Sequence, residues 1–247
     1  MGQNEYRNFD DKFAEAWYNL GGDFSYMFSK QLINYLKANN LQPKNVLDVY
    51  CGAGNFLAEM QKTGIKCTGT EGSKAFIKFN QKNYKDMEFL YANNLADFAT
   101  KQKFDMITCI YDLVNYMETY KEWQDFFKVA YKQLNKGGLF VFDYNTPKRL
   151  ADWNTVVYEE SDKMDYLQTV KSGVYGKTII NYIYYIKNAD GTYDKTSSLR
   201  TETTFELEQV LDALKKAGFK DIKLCDFSLN PVANPQAKNK LHIVATK

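Results

Sequence analysis

The stretch Val46-Leu47-Asp48-Val49-Tyr50-Cys51-Gly52-Ala53-Gly54-Asn55-Phe56 constrains this chain more than any other. An apolar run ends in an acid, a Gly-x-Gly turn follows, and an amphipathic segment continues from Phe56 to Thr63. That order predicts a strand, a tight loop and a helix. Gly52 and Gly54 have no Cβ and can take φ > 0, so a ligand can approach the loop backbone closely. The loop is of the nucleotide-binding kind but not the dinucleotide form. Leu57 stands where the third glycine of G-x-G-x-x-G belongs.

Asp48 bears on what the loop holds. A carboxylate just upstream of the glycines would repel a pyrophosphate at the helix N-terminus. It suits a cation instead. S-adenosyl-L-methionine carries a sulfonium and an α-ammonium and no phosphate, so electrostatics favour it over NAD.

The rest of the composition narrows the field by exclusion. A length of 247 residues suits one large domain or one domain with an insertion. No segment reads as a membrane span, and Met1 to Phe9 is polar, without the apolar core of a signal peptide. A cytoplasmic location follows. The net charge of +2 is too mild to argue for nucleic acid. Arg7, Arg149 and Arg200 are the only arginines, so bidentate readers of phosphate or guanine are scarce. Cys51, Cys67, Cys109 and Cys225 form no C-x-x-C pair and sit in or beside apolar runs; they read as free thiols in a reducing compartment, with no metal site. His242, the sole histidine, lies in a strand pattern and reads as structural, which disfavours Ser-His-Asp or Cys-His hydrolysis.

Along the chain, Phe9 to Leu20 and Phe24 to Leu36 predict two helices separated by Gly21-Gly22. Strands are predicted at 46–50, 66–70, 87–91, 104–110 and 139–143, with helices between them, the last preceded by an Asn135-Lys136-Gly137-Gly138 turn. Alternating strands and helices imply a mainly parallel, doubly wound α/β sheet. After Pro147 the pattern changes to alternating aromatic and β-branched runs, with Asp190-Gly191 as a hairpin turn. This predicts a small antiparallel insertion. A helix from Glu206 to Ala217 and strands at 220–227 and 241–246 would close the sheet.

Together these segments resemble the class I S-adenosylmethionine-dependent methyltransferases of the small-molecule type. The resemblance runs from about Tyr6 to Lys247. It rests on the loop above, on Gly69-Thr70-Glu71-Gly72-Ser73, on Phe104-Asp105-Met106-Ile107, on Asp112-Leu113-Val114-Asn115-Tyr116 and on Leu134 to Phe140. It implies a seven-stranded Rossmann-like sheet whose last strand is antiparallel. It divides the chain into a helical cap (1–42), a cofactor domain (43–147 and 205–247) and a β insertion over the substrate (148–204). Asp48, Tyr50, Cys51, Gly52, Ala53, Gly54 and Asn55 match the loop that holds the methionine part of the cofactor. Glu71, followed by Gly72, matches the acid that accepts from both ribose hydroxyls. Asn94 stands where the family often has an acid for the adenine amino group, and Leu95 would flank the ring. Ile110, Tyr111 and Asp112 would face the transferred methyl group. Trp17, Tyr18, Asn115, Tyr116 and Tyr144 are the candidates for acceptor contact, between the N-terminal helices and the insertion. Family members often carry a histidine in the segment matching Leu199 to Thr204, where this chain has Arg200-Thr201-Glu202.

Other roles stand beside these. Asp48 could cap the glycine loop, Glu71 could be a helix N-terminal acid favoured by the dipole, and Asp112 could hold loop amides. Tyr111 and Tyr116 could be simple wall residues. In the methyltransferase reading, alignment of donor and acceptor supplies most of the rate. A base is needed only for a protonated acceptor; Asp112 or Tyr111 is the first candidate and Asp143 a poorer one. The acceptor would be an N or O atom of a small molecule, and the protein a monomer or homodimer. The alternatives are a non-catalytic S-adenosylmethionine-binding regulator on the same fold and a tRNA or other nucleic-acid methyltransferase. The Asp/Asn-Pro-Pro-aromatic and Pro-Cys motifs of base methylation are absent.

Overall fold

A computed structural model describes residues 10–92, 94, 98, 100–174 and 177–247, with the backbone but not the side chains of 19–23. The predicted contribution of Leu95 to the cofactor site therefore lies outside the described residues.

The chain opens with one long helix, α1 (Asp11–Ala38), rather than the two expected. Its N-cap, Asp10, accepts a hydrogen bond from the Phe13 amide at 2.8 Å. Gly21 and Gly22 are inside the helix. Each glycine costs about 1 kcal/mol relative to alanine. Burial on both sides of them outweighs that: Phe13, Ala14 and Ala16 pack at one end, and Phe28, Leu32 and Leu36 at the other.

Strands and helices then alternate: β1 (Asn45–Val49), α2 (Asn55–Gln61), β2 (Lys66–Glu71), α3 (Lys74–Asn83), β3 (Glu88–Tyr91), β4 (Phe104–Cys109), α4 (Tyr120–Gln133) and β5 (Leu134–Asn145). After α5 (Pro147–Ala151) come β6 (Thr155–Glu159), β7 (Met164–Val174), β8 (Lys177–Lys187) and β9 (Tyr193–Glu202). The chain ends with α6 (Leu207–Ala217), β10 (Lys220–Cys225) and β11 (Lys240–Thr246).

Seven strands form one sheet in the order β10-β11-β5-β4-β1-β2-β3, and β11 runs antiparallel to both its neighbours. The sheet is the expected doubly wound α/β sheet with its last strand reversed. β5 begins earlier than the glycine pair suggested. Leu134 pairs with Phe104, the register slips before Met106, and Gly137 adopts φ 77° as the backbone bends. Aromatic and aliphatic side chains pack on both faces of the sheet; Trp123, Phe126, Phe127 and Phe140 lie on one, and Phe28, Leu57, Met60 and Val141 on the other.

β6 to β9 form a separate four-stranded antiparallel sheet. The Asp190-Gly191 turn joins β8 to β9, with Gly191 at φ 84° and Lys187 opposite Tyr193. This sheet shares a core with the first part of the chain: Met164, Tyr184 and Ile186 pack with Phe13, Ala14 and Phe76.

β1 has β2 on one side and β4 on the other. The winding reverses between β1 and β4, which opens a crevice at their carboxyl ends, the usual ligand position in such sheets.

Candidate active site

A cavity of about 320 Å³ opens at that crevice. Its walls come from three places: Trp17, Phe24 and Ser25 of α1; the ends of β1, β2 and β4; and Tyr166, Gln168, Tyr182 and Arg200 of the second sheet. The volume is at the lower edge of the range for small-molecule sites.

The loop after β1 is held from several directions. The Cys51 amide donates to Thr70 O at 2.9 Å, and Asn80 Nδ2 donates to Gly52 O at 2.7 Å. Asn55 Nδ2 reaches Tyr18 O at 2.9 Å and ties the loop to α1. Gly52 and Gly54 adopt φ of 54° and 77°. A Cβ on Gly54 would sit 2.9 Å from the Tyr84 ring, whereas one on Gly52 would meet nothing within 4 Å. The two glycines thus differ: Gly54 lets the loop pack on α3, and Gly52 borders the cavity.

Two buried carboxylates underlie the loop. Glu71 Oε2 accepts from the Gly52 amide at 2.9 Å, and Oε1 accepts from the amides of Gly72 and Ser73 at 2.7 and 2.8 Å. The glycine loop is therefore braced by Glu71, not by Asp48. Burial raises the Glu71 carboxyl, and the three amides only partly offset this. Asp48 Oδ1 accepts from Thr108 Oγ1 at 2.6 Å. Burial pushes the Asp48 carboxyl up to about 7; the Thr108 hydrogen bond opposes this and the nearby Glu71 adds to it. Both acids face the cavity. This is an acidic pocket suited to a cation, and an ammonium or sulfonium beside Asp48 would favour its charged form. The residues present fit S-adenosylmethionine.

The floor lies beyond β4. Tyr50, Tyr111 and Asp112 take positive φ of 59°, 71° and 51°, so the backbone turns left-handed at the ends of the adjacent strands β1 and β4. The Tyr111 ring lies 4.1 Å from that of Phe24, and its hydroxyl is 3.3 Å from Ser25 Oγ. Burial raises the Tyr111 hydroxyl well above its ordinary range. Asp112 Oδ1 pairs with Lys240 Nζ at 2.5 Å, and Lys240 also reaches Asp143 Oδ2 at 3.0 Å. The Asp112 amide donates to Asp143 Oδ2 at 3.1 Å. Asn145 Nδ2 donates to both Asp112 Oδ2, at 3.0 Å, and Glu202 Oε2, at 2.8 Å. Burial alone would raise Asp112, but the charge of Lys240 and the hydrogen bonds of Glu202 and Lys240 hold it below the usual carboxylate range. Glu202 goes the other way: burial and the Asp112 charge push its carboxyl well above the usual range. Asp112, ionised and paired, is a weak proton acceptor, and Tyr111 does not release its proton. Neither geometry suits the base expected of them.

Of the predicted site residues, Asp48, Tyr50, Cys51, Gly52, Ala53, Asn55, Glu71, Ile110, Tyr111, Asp112, Trp17 and Tyr116 border the cavity. Gly54 and Gly72 sit behind the wall; a Cβ on Gly72 would be 3.1 Å from the Tyr50 ring. Asn94 is exposed and is not among the described residues that border the cavity.

Three acceptor candidates are corrected. Tyr144 is fully buried on the opposite face of β5 from Asp143, with Trp123 at 5.8 Å. Successive strand residues alternate faces, so it cannot follow Asp143 to the site. Asn115 is fully buried and clamps backbone: its Nδ2 donates to Asn145 O and Thr203 O, and its Oδ1 accepts from the Asn145 amide. Tyr18 turns outward, 41% exposed, against Phe79.

Lys240, Glu202, Gln168 and Arg200 were not anticipated. Gln168 comes from β7, Arg200 and Glu202 from β9 and Lys240 from β11, and only the fold brings the three strands together. Arg200 had two signals in the sequence, the scarcity of arginine and its place in the segment where family members often carry a histidine. His242 is buried against Phe28 at 5.3 Å, a core position as expected, and burial lowers its basicity. The four cysteines are free. No helix among the described residues is long and apolar enough to cross a membrane.

Residues 24–224 match the family model described as a methyltransferase domain. A protein of Geobacillus sp. (strain WCH70) named as a methyltransferase is 23% identical over 211 residues, covering 83% of this chain and 85% of that one. The solved S-adenosylmethionine-dependent methyltransferase of Clostridium acetobutylicum superposes with a TM-score of 0.76 at 19% identity, over 90% of this chain and 91% of that one. CalS10, an amino pentose methyltransferase from Micromonospora echinaspora, superposes with a TM-score of 0.70 at 18% identity, over 88% and 89%. The two structures speak to the fold; the family match, spanning most of the chain, identifies it as a class I S-adenosylmethionine-dependent methyltransferase.

Proposed function

We propose that this enzyme moves a methyl group to an N or O atom of a small-molecule acceptor, in a cytoplasmic setting, and that residues 148–204 cover the acceptor. The observation that carries this reading is the cavity itself, with two buried acids at one end and an aromatic wall from α1 and the second sheet at the other. The amino pentose substrate class of CalS10 supports a small acceptor. The free cysteines support a reducing compartment.

When bound, S-adenosylmethionine supplies a methyl group on a sulfonium, already a strong electrophile. Asp48 would attract its positive charge, and Gly52, Ala53 and Asn55 would border its methionine part. Glu71 would serve two ends: it braces the loop amides and offers its remaining acceptor capacity to the ribose. Ile110 and Tyr111 form the wall toward the acceptor, and Trp17 and Phe24 exclude water there. Asp112 acts on electrostatics and loop position rather than by taking a proton. The acceptor would then enter already neutral or already ionised. The domain division at 42/43, 147/148 and 204/205 belongs to this same proposal.

Calorimetric titration with S-adenosylmethionine and S-adenosylhomocysteine tests it. Micromolar binding is expected, weakened about tenfold or more by Asp48→Ala and by Glu71→Ala. Unchanged affinity in both variants would defeat the assignment.

A further inference from the structure

The floor of the cavity holds a strained turn. Tyr111 and Asp112 stand one after the other at φ of 71° and 51°, and both border the cavity. Such a pair persists only where its surroundings over-determine it. Asp112 is the anchor. Its amide donates to Asp143 Oδ2 at 3.1 Å, Lys240 Nζ meets its Oδ1 at 2.5 Å, and Asn145 Nδ2 donates to its Oδ2 at 3.0 Å.

A second acid completes the anchor. Glu202, the last residue of β9, is fully buried, and its carboxyl is hydrogen-bonded to that of Asp112. Asn145 Nδ2 also donates to Glu202 Oε2 at 2.8 Å, so one amide spans both acids. Two ionised carboxylates have no proton to place between them; one of the two must supply it. The surroundings decide which. Asp112 has Lys240 on its other oxygen and feels the charge of Arg200, so it is the better ion. Asp143 shares Lys240, and Lys177 on β8 is engaged by Glu118. Glu202 Oε1 is buried, and no amide, ammonium or hydroxyl among the described residues donates to it. Burial, and then the Asp112 charge, push the Glu202 carboxyl upward, in the same direction.

We propose that Glu202 is a positioning residue of the methyl-transfer site: as an uncharged acid it donates a hydrogen bond to Asp112 and thereby holds the Tyr111-Asp112 turn in place against the acceptor. The proposal rests on the reading above, in which Tyr111 walls the acceptor end. One proton then ties the last residue of a lid strand to the cavity floor.

The test compares full-length wild type, Glu202→Gln and Glu202→Leu at neutral pH. Glutamine still donates to Asp112; leucine fills the space and donates nothing. In the infrared difference between wild type and Glu202→Gln, the carbonyl stretch of an uncharged carboxylic acid should be lost on substitution. Exchange of the Asp112 amide should be about tenfold faster in Glu202→Leu and within about twofold of wild type in Glu202→Gln. The Thr203 amide, which donates to Asn115 O at 2.8 Å, should keep its rate in both, because only a general loosening of the strand end would move it. Sinefungin, with an amine where S-adenosylmethionine has its methyl group, reads the acceptor end. Its affinity relative to S-adenosylhomocysteine should fall about fivefold or more in Glu202→Leu and hold in Glu202→Gln. If no acid band is lost, the proposal is overturned without the leucine variant, so it stays testable even if that variant does not fold. Equal behaviour of the two variants at Asp112 and toward sinefungin also overturns it. Faster exchange at Thr203 alongside Asp112 does the same and leaves Glu202 a packing residue. Failure of the wild type to bind S-adenosylhomocysteine at all would instead remove the underlying site reading, while the infrared band would still report on Glu202.

Discussion

The two ends of the cavity are made of different material. At the loop end, two short segments of sequence supply buried acids and backbone amides, locked by hydrogen bonds of 2.6 to 2.9 Å. At the lid end, side chains from α1, β7, β8 and β9 meet as half-buried aromatic faces around one guanidinium. Ordered backbone polarity recognises one fixed molecule well. Aromatic side chains on an antiparallel sheet can be exchanged without disturbing the main sheet. The contrast suits an enzyme whose cofactor is constant and whose acceptor defines it.

Lys240 holds the floor through Asp112 and Asp143, and its loss should have the largest effect. Lys240→Ala leaves Asp112 and Asp143 facing each other without a cation. The expected cost is about 3 kcal/mol, the low end for a buried pair because the lysine is partly exposed. A urea melt measures it, and a loss below about 1 kcal/mol would show that the floor is not held electrostatically.

The loop end should show a distinct pH signature. Asp48 is raised from 3.8 to about 7 in the ligand-free fold. Its raised value means the folded state holds the proton more tightly than the unfolded chain. Its contribution to stability is therefore full below pH 3.8, declines as pH rises, and is lost above about 7. Cofactor binding runs the opposite way, since a cation wants the ionised acid. Affinity for S-adenosylmethionine should improve on the order of tenfold from about pH 5.5 to about pH 7, and Asp48→Asn should flatten that slope. A flat wild-type profile would mean that Asp48 does not meet the positive charge.

A smaller effect sharpens the comparison directly. Gly54→Ala forces a left-handed alanine against Tyr84 and should cost about 1–2 kcal/mol of stability, with weaker S-adenosylhomocysteine binding. Tyr182→Ala, at the lid end, should leave that binding within about threefold. Equal losses in both variants would erase the distinction between the ends. The smallest effect belongs to Tyr144→Phe. The Tyr144 hydroxyl is buried without a hydrogen-bond partner among the described residues, so its removal should leave binding and turnover unchanged and stability within about 1 kcal/mol. A fall in turnover would return Tyr144 to the site.

The loop end was legible because its residues are contiguous. Asp48 to Asn55 and Glu71 sit on strand ends that hydrophobic periodicity locates. The alternation of strands and helices follows from the same periodicity, and the hairpin from the Asp190-Gly191 turn signal. The lid end and the floor resist reading because their members are joined only by register: Arg200 lies opposite Ile180, and Lys240 opposite Asn145. Tyr144 and Asn115 show the converse hazard. Each stands next in sequence to a residue of the site region, yet strand alternation turns one into the core and backbone capture holds the other. The break expected at Gly21-Gly22 failed for an energetic reason, since the local penalty of two glycines is small beside the apolar surface buried by α1.

Tyr50, Tyr111 and Asp112 carry one more consequence. Left-handed backbone at residues with side chains costs about 1 kcal/mol or more at each position. All three border the same cavity. Selection for thermal robustness alone would replace them by glycine or asparagine and lose two aromatic walls and an ion pair in the process. An engineer hunting for stabilising substitutions in this fold will find these positions first, and should leave them alone.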